Sequence, residues 1–301
     1  MPNVSANGTL IEYESFGDPT HPPVLLIMGL GLNLLAWPEA LVRHLVEGGH
    51  RVILFDNRDA GLSQSFDHLG VPNVVWMYLR HKLGLPITPV YTLDDMVADA
   101  VGLLDALGIE RAHIVGASMG GMIAQNLAAR HPGRVLSLTS MMSTTGNRKV
   151  MKPRLRALKV LLAPPAPRSR PDLAARRLAF LMRTIGSSTH PPDARELQAL
   201  CERHVQRSYR PAGMARQLVA VGAADDRSAI VRTISRPTLV LHGDEDPLLP
   251  PPCARDTAAL IPDARLTFIR GMGHDFPKPL LREMADHLLG HFRAHGAASA
   301  G

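Results

Sequence analysis

Short apolar runs recur along the chain and alternate with longer stretches of helical pattern. Each run holds three to five β-prone residues, is apolar on both faces and ends near a glycine, an aspartate or a short polar loop. Such runs are typical of strands buried in a parallel sheet. The predicted strands are residues 24–28, 52–55, 113–115, 135–139, 238–241 and 266–269. Residues 8–17 alternate more weakly, which predicts an antiparallel edge strand.

Helical patterns separate these runs. They cover residues 34–47, 93–107, 119–130, 255–260 and 280–293. The helix at 93–107 carries aspartates in its early turns and is followed by Gly108, in agreement with helix polarity. Repeated strand–helix units predict the α/β class, with a doubly wound, mostly parallel sheet and helices on both faces.

Two segments depart from this alternation. Residues 65–91 contain three prolines and are predicted to be a long excursion near the strand ends. Residues 146–232 show helical patterns interrupted by prolines, which predicts a helical cap, or lid, inserted into the sheet domain. The predicted core domain is therefore residues 1–145 and 233–301, and the predicted cap is residues 146–232.

Charge is distributed unevenly between these parts. The formal net charge is +6, yet residues 148–232 hold 18 Lys and Arg against 6 Asp and Glu. We interpret this stretch as a solvated, arginine-rich helical surface, with attraction of an anionic substrate or partner as the alternative. Aromatic residues make up only 4% of the chain, which disfavours base stacking and hence a nucleic-acid partner.

The overall composition is that of a globular protein, with 46% hydrophobic and 20% charged residues. No apolar window is long enough for a membrane span, and the N-terminus lacks the pattern of a secretory signal, so we expect a cytoplasmic protein. Cys201 and Cys253 are the two cysteines, too few for a disulfide framework or a thiol metal cluster. No metal or cofactor is predicted, and the oligomeric state stays open.

The strongest chemical signal is Gly116-Ala117-Ser118-Met119-Gly120, which matches Gly-x-Ser-x-Gly between a predicted strand and a predicted helix. This setting is typical of a nucleophile elbow, a strained turn whose small neighbours leave room for an exposed serine hydroxyl. A serine needs a base to remove its proton and an acid to orient that base. Asp246 and His274 each follow a predicted strand, and the order Ser118, Asp246, His274 is that of α/β-hydrolases.

Several choices around this site depend on weaker signals. Asp244 competes with Asp246 for the role of the acid, and the spacing favours Asp246, with Asp244 in a loop hydrogen bond. The backbone N–H groups of Leu30 and Met119 are predicted to form the oxyanion hole. Trp37 and Met142 are candidates for the substrate pocket, although core packing would also explain them. Arg58 and Asp59 are expected to fix the loop after their strand rather than to bind substrate.

The chain resembles the α/β-hydrolase superfamily over nearly its whole length. The resemblance is carried by Met28-Gly29-Leu30-Gly31, Phe55-Asp56-Asn57-Arg58-Asp59, Gly116–Gly121 and Gly271-Met272-Gly273-His274, and is greatest to the aclacinomycin methylesterase-like group. It implies an esterase that hydrolyses a carboxylic ester without a cofactor. Met28 departs from the wider superfamily, in which a histidine often precedes the oxyanion glycine. Hydrogen bonds that order this loop must therefore come from elsewhere.

The predicted function is that of a serine esterase acting on a small-molecule ester through an acyl-enzyme. The same three side chains would also serve hydrolysis of a lactone, cleavage of a C–C bond in a vinylogous diketone, or peracid formation. A serine at the elbow disfavours dehalogenase and epoxide hydrolase chemistry, and a basic cap disfavours an aminopeptidase. A non-catalytic small-molecule receptor on the same scaffold is the alternative from another class.

Overall fold

The computed structural model describes residues 2–296. Eight strands lie within this range: β1 (Asn3–Ala6), β2 (Thr9–Phe16), β3 (Pro23–Ile27), β4 (Arg51–Phe55), β5 (Ala112–Ala117), β6 (Val135–Met141), β7 (Thr238–Gly243) and β8 (Arg265–Ile269). The helices in the same range are α1 (Glu39–Glu47), α2 (Val74–Lys82), α3 (Leu93–Ala106), α4 (Met119–Arg130), α5 (Leu155–Leu161), α6 (Pro171–Ile185), α7 (Ala194–Arg207), α8 (Pro211–Ala224), α9 (Ser228–Val231), α10 (Pro252–Leu260) and α11 (Leu281–His295).

All eight strands form one sheet in the order β1-β2-β4-β3-β5-β6-β7-β8. The strands from β3 onward pair in parallel, and β1 and β2 are antiparallel to their neighbours. The carboxyl ends of β5, β7 and β8 therefore lie along one edge of the sheet, which is where ligands bind in open α/β folds. The predicted doubly wound, mostly parallel sheet is confirmed.

Helices cover both faces of this sheet. Leu25 and Ile27 of β3 belong to an apolar cluster with α3 and α4, whereas the alternate residues Val24 and Leu26 belong to a second cluster with α1 and α11. Successive side chains of a strand point to opposite faces, so a strand that is buried on both faces needs an unbroken apolar run. This explains why the sequence pattern located β3 to β7. The expectation of a strand buried on both faces was wrong for residues 266–269, because β8 forms the other edge of the sheet and is only partly buried.

The prediction of an edge strand at residues 8–17 was wrong in one respect. β2 is antiparallel to β4 as expected, but β1 lies outside it and forms the edge of the sheet. Asn7 and Gly8 connect the two strands with positive φ angles of 51° and 68°. An Asn-Gly pair between two strands is a strong hairpin signal, because both residues tolerate the left-handed region that the tight turn requires.

A proline accounts for the largest difference in helix bounds. The helix predicted from residue 34 begins at Glu39 in α1, preceded by a separate 3₁₀ turn at Leu34–Ala36. Trp37 precedes Pro38 and is extended, with ψ at 123°, because a residue before proline avoids the helical region. The predicted excursion at residues 65–91 contains α2.

Helices α5 to α9 all lie between β6 and β7, in what we call the helical segment, residues 146–232. Its charges differ from the predicted solvated surface. Arg216 is 1% exposed, Arg227 is 3% exposed, and the Arg207 side chain is also buried. The expectation was wrong for these arginines because carboxylates and carbonyls of the sheet region surround them.

Candidate active site

Ser118 lies at the tight turn between β5 and α4. Its backbone has φ 56° and ψ −119°, a left-handed conformation that is strained for a residue with a side chain. The start of α4 presses closely on β3, since a Cβ atom at Gly120 would lie 2.0 Å from the carbonyl oxygen of Ile27. The glycine in this motif is therefore required by the close approach of two backbones.

The structure brings the three predicted side chains together. Ser118 Oγ lies 2.9 Å from His274 Nε2, and His274 Nδ1 lies 2.7 Å from Asp246 Oδ2. An ionised carboxylate only accepts hydrogen bonds, so Nδ1 carries the proton and Nε2 presents its lone pair to the serine hydroxyl. The arrangement can transfer the Ser118 proton to His274.

Asp246 is fixed by its own loop. Its Oδ1 accepts hydrogen bonds of 2.8 Å from the backbone N–H groups of Leu248 and Leu249, and the residue is 2% exposed. Asp244 accepts a hydrogen bond of 2.7 Å from Gly271 N instead of contacting the histidine. The geometry thus assigns the two aspartates as the sequence favoured: Asp246 beside the histidine, Asp244 in a loop contact.

The two predicted oxyanion donors border the serine. Within residues 2–296, the backbone N–H groups of Leu30 and Met119 have no hydrogen-bond acceptor. Gly29 is in contact with the serine, because a Cβ atom added there would lie 3.1 Å from Ser118 Cβ. Two unpaired N–H groups next to a serine hydroxyl can stabilise negative charge that develops on a carbonyl oxygen.

Both candidate pocket residues are buried in the apolar cluster of α1 and α11. Trp37 and Met142 are each 2% exposed. The Trp37 ring packs against Phe276, with ring centroids 5.2 Å apart, and Met142 N donates to Leu241 O at 2.9 Å. Core packing accounts for these contacts, and a role in substrate binding stays a prediction.

The helical segment makes contacts with the histidine loop that were not predicted from the sequence. His274 N donates to Ile185 O at 2.8 Å, and Ser187 N donates to Asp275 Oδ1 at 3.0 Å. The Ser187 hydroxyl also donates to Gly271 O. Burial raises the pKa of Asp275 to about 6. In the sequence, the position of Asp275 directly after His274 could have indicated that this aspartate lies near the site.

The acid loop is bound to the same part of the segment. Glu245 accepts hydrogen bonds from Ser188 N at 3.0 Å, from Ser188 Oγ at 2.6 Å and from Thr189 N at 3.1 Å. The hydroxyl of Ser188, followed by that of Thr189, lowers the pKa of Glu245 to about 2. Both loops that carry the histidine and the aspartate therefore contact residues 185–189.

Two further features concern ligands and membranes. In the described range, no group of three or more histidine, cysteine and carboxylate side chains is placed to hold a metal ion. No helix among those same residues has the length and apolar character needed to cross a bilayer.

Comparison with known proteins relates this geometry to a family. Residues 22–277 match the family model described as the alpha/beta hydrolase fold. The chain is 30% identical over 303 residues to the rhodomycin D methylesterase DnrP of Streptomyces peucetius, which covers 93% of this chain and 94% of that protein. It is also 30% identical to the 2-hydroxymuconate semialdehyde hydrolase of Pseudomonas sp. strain CF600, over 84% of this chain and 80% of the relative.

Among solved structures, the enol-lactonase from Burkholderia xenovorans LB400 has a TM-score of 0.74 and 23% identity. The match covers 97% of this chain and 100% of that one, and at this identity it supports the fold alone. The resemblance predicted from the motifs is thus confirmed by matches that extend far beyond those motifs. The chain belongs to the α/β-hydrolase fold family and is related over most of its length to the methylesterases of that family.

Proposed function

We propose that the chain is a serine hydrolase that cleaves carboxylic esters through an acyl-enzyme on Ser118. The supporting observation is the continuous hydrogen-bond chain from the Ser118 hydroxyl through His274 to Asp246. His274 accepts the serine proton as Oγ attacks the ester carbonyl, and donates it to the departing alcohol. His274 then activates the water that releases the acid, while Asp246 stays ionised and holds the Nδ1–H tautomer.

The proposed oxyanion hole consists of the backbone N–H groups of Leu30 and Met119. Each donor of this kind is worth about 3 kcal/mol of transition-state stabilisation. The proposal is supported by the lack of any competing acceptor for these groups in the described part of the chain. Trp37 and Met142 are proposed to contribute to the pocket wall from the face of the sheet that is covered by α1 and α11.

We also propose that residues 146–232 form a cap on a core of residues 1–145 and 233–301. An apolar cluster internal to the segment supports a separate unit, since Ala175, Leu197, Cys201 and Val205 pack together between α6 and α7. The contacts of residues 185–189 with the histidine and acid loops support a cap that borders the reacting groups.

A methyl ester is the proposed substrate class, because the relative DnrP is a rhodomycin D methylesterase. The second candidate is hydrolysis of a C–C bond in a vinylogous diketone, which the relationship to the 2-hydroxymuconate semialdehyde hydrolase favours. Comparing kcat/KM for methyl esters of bulky acids, a p-nitrophenyl ester chain-length series and a ring-fission diketone distinguishes the two.

The test of the mechanism is the Ser118→Ala variant with a p-nitrophenyl ester. We expect kcat to fall by roughly 10⁵- to 10⁶-fold, because no other hydroxyl is activated by His274. A fluorophosphonate should label wild-type protein at Ser118, as mapped by mass spectrometry. The exposed Ser169→Ala variant is the control and should keep both properties. Full activity in Ser118→Ala would disprove the acyl-enzyme mechanism.

A further inference from the structure

The loop that carries the proposed oxyanion donor, residues 28–33, lacks the histidine that often orders it. The thioether of Met28 is a weak hydrogen-bond acceptor and supplies no strong polar anchor. One anchor comes from the neighbouring loop, since Asn57 Nδ2 donates to Met28 O at 2.9 Å. This bond fixes the peptide group between Met28 and Gly29. It does not fix the peptide group between Leu30 and Gly31.

Gln217 supplies a second anchor from the helical segment. It lies on α8 and is 0% exposed. Its Oε1 accepts a hydrogen bond of 2.8 Å from Gly31 N, and its Nε2 donates one of 2.7 Å to Arg58 O. A single buried amide therefore joins the oxyanion loop to the loop that follows β4.

We propose that Gln217 is a positioning residue that holds the Leu30 N–H in line with the oxyanion. The inference rests on the proposed ester hydrolysis and adds to it a residue of the helical segment, 186 positions from the glycine it binds. Asn57 fixes the peptide before Gly29 and Gln217 fixes the peptide after Leu30. The Leu30 N–H lies between these two peptide groups. It is therefore oriented while its hydrogen remains available to an oxyanion.

The chemistry of the two bonds requires an amide. Gly31 N needs an acceptor and Arg58 O needs a donor, and a Gln side chain offers both on one planar group. A methionine of similar length offers neither bond. A glutamate keeps the acceptor for Gly31 N but, when ionised, turns an oxygen towards Arg58 O. Glutamine, glutamate and methionine have nearly the same volume, but at position 217 they can form two, one and none of these hydrogen bonds, respectively.

The experiment compares wild type with Gln217→Met, Gln217→Glu and Val219→Ala, the last being a buried position on α8 without a bond to the loop. In Gln217→Met we expect kcat for a p-nitrophenyl ester to fall about 10- to 100-fold with KM changed by less than about 3-fold, because the bond acts on the transition state. Gln217→Glu should be intermediate. Val219→Ala should keep wild-type kcat.

Two readouts separate positioning from a general loss of structure. Inhibition by a trifluoromethyl ketone, which forms a tetrahedral oxyanion on the serine, should weaken in proportion to kcat/KM in Gln217→Met. Backbone hydrogen exchange of residues 28–33 should be faster in Gln217→Met than in Val219→Ala. If Gln217→Met does not fold, the same comparison is made with Gln217→Glu, where a several-fold lower kcat is expected.

The outcomes are distinct. Wild-type kcat and ketone affinity in a folded Gln217→Met variant would overturn the positioning role while leaving ester hydrolysis intact. Equal loss of activity and equal exchange in Val219→Ala would likewise overturn it, because the effect would then be one of helix stability. A wild-type protein that neither hydrolyses esters nor reacts with fluorophosphonate would instead contradict the proposed function, and the inference with it.

Discussion

The helices around the sheet and the helical segment are held in place by different combinations of forces. Around the sheet, α1, α3, α4 and α11 pack through apolar clusters of aliphatic side chains. Between the helical segment and the sheet region, Ala220 and Val231 join the cluster of α3 and α4, but buried ion pairs are present as well. Arg216 pairs with Asp59 at 2.7 Å with both side chains 0% exposed, and Arg207 pairs with Asp56 at 2.6 Å.

This difference accounts for part of the uneven charge of the chain. The acidic partners Asp56, Asp59 and Asp67 lie on or near the loop after β4, and part of the basic excess of residues 148–232 faces them. Apolar packing tolerates many arrangements of similar volume, whereas buried ion pairs are satisfied in very few. The polar junction therefore favours one placement of the segment relative to the oxyanion loop.

The largest effect is expected from removing the centre of this junction. Arg216→Met leaves the buried Asp59 carboxylate without its cation, although the Tyr91 hydroxyl and the Phe66 backbone N–H still donate to it, each at 2.8 Å. Breaking a buried pair from one side typically costs about 3–5 kcal/mol, because an uncompensated charge stays in the interior. Urea unfolding should show a free-energy loss of this size.

The matched control removes both charges. In Arg216→Met/Asp59→Asn, part of the lost free energy of unfolding should return, since no uncompensated charge is left and asparagine tolerates the positive φ of 66° at residue 59. A loss below about 1 kcal/mol in Arg216→Met would contradict the view that ionic contacts hold the junction.

The second-largest effect is expected from buried histidines, which make the free energy of unfolding depend on pH. Burial lowers the pKa of His113 to about 3, and that of His291 to about 4. Below the pKa of an unfolded histidine, near 6.5, the unfolded chain binds protons that the folded chain does not bind. The free energy of unfolding therefore decreases as the pH decreases. Each such histidine contributes about 1.4 kcal/mol per pH unit, down to its folded pKa.

Asp275 acts in the opposite direction. Its pKa is raised to about 6 by burial, so the folded state binds its proton more readily than the unfolded state between about pH 6 and 3.8.

His113→Gln removes a titrating group while keeping a polar partner for Ser137, which lies 2.8 Å from His113 Nδ1. The slope of unfolding free energy between pH 6 and 4.5 should decrease by roughly one proton. An unchanged slope would show that His113 titrates normally.

The same contrast determines what the sequence could predict. Strands β3 to β8 and the positions of Ser118, Asp246 and His274 follow from local apolar runs and the short motifs at their ends. The pairing of Arg216 with Asp59 spans 157 residues, and no local pattern links two such positions. Gln217 was missed for the same reason, because only the folded helix α8 brings its amide to Gly31. The Asn7-Gly8 turn, in contrast, is a local signal from which the β1–β2 hairpin could have been predicted.

The smallest effect is expected at the exposed margin of the same junction. Lys278, just before α11, pairs with Glu196 of α7 at 3.2 Å, but the side chains are 79% and 65% exposed. Water already solvates both charges and salt screens them, so Lys278→Ala should change the free energy of unfolding by less than about 0.5 kcal/mol. Urea unfolding at low and at 0.5 M salt checks this, with Arg216→Met measured alongside. If Lys278→Ala and Arg216→Met were equally destabilising, burial would not be what gives the ionic contacts of this junction their strength.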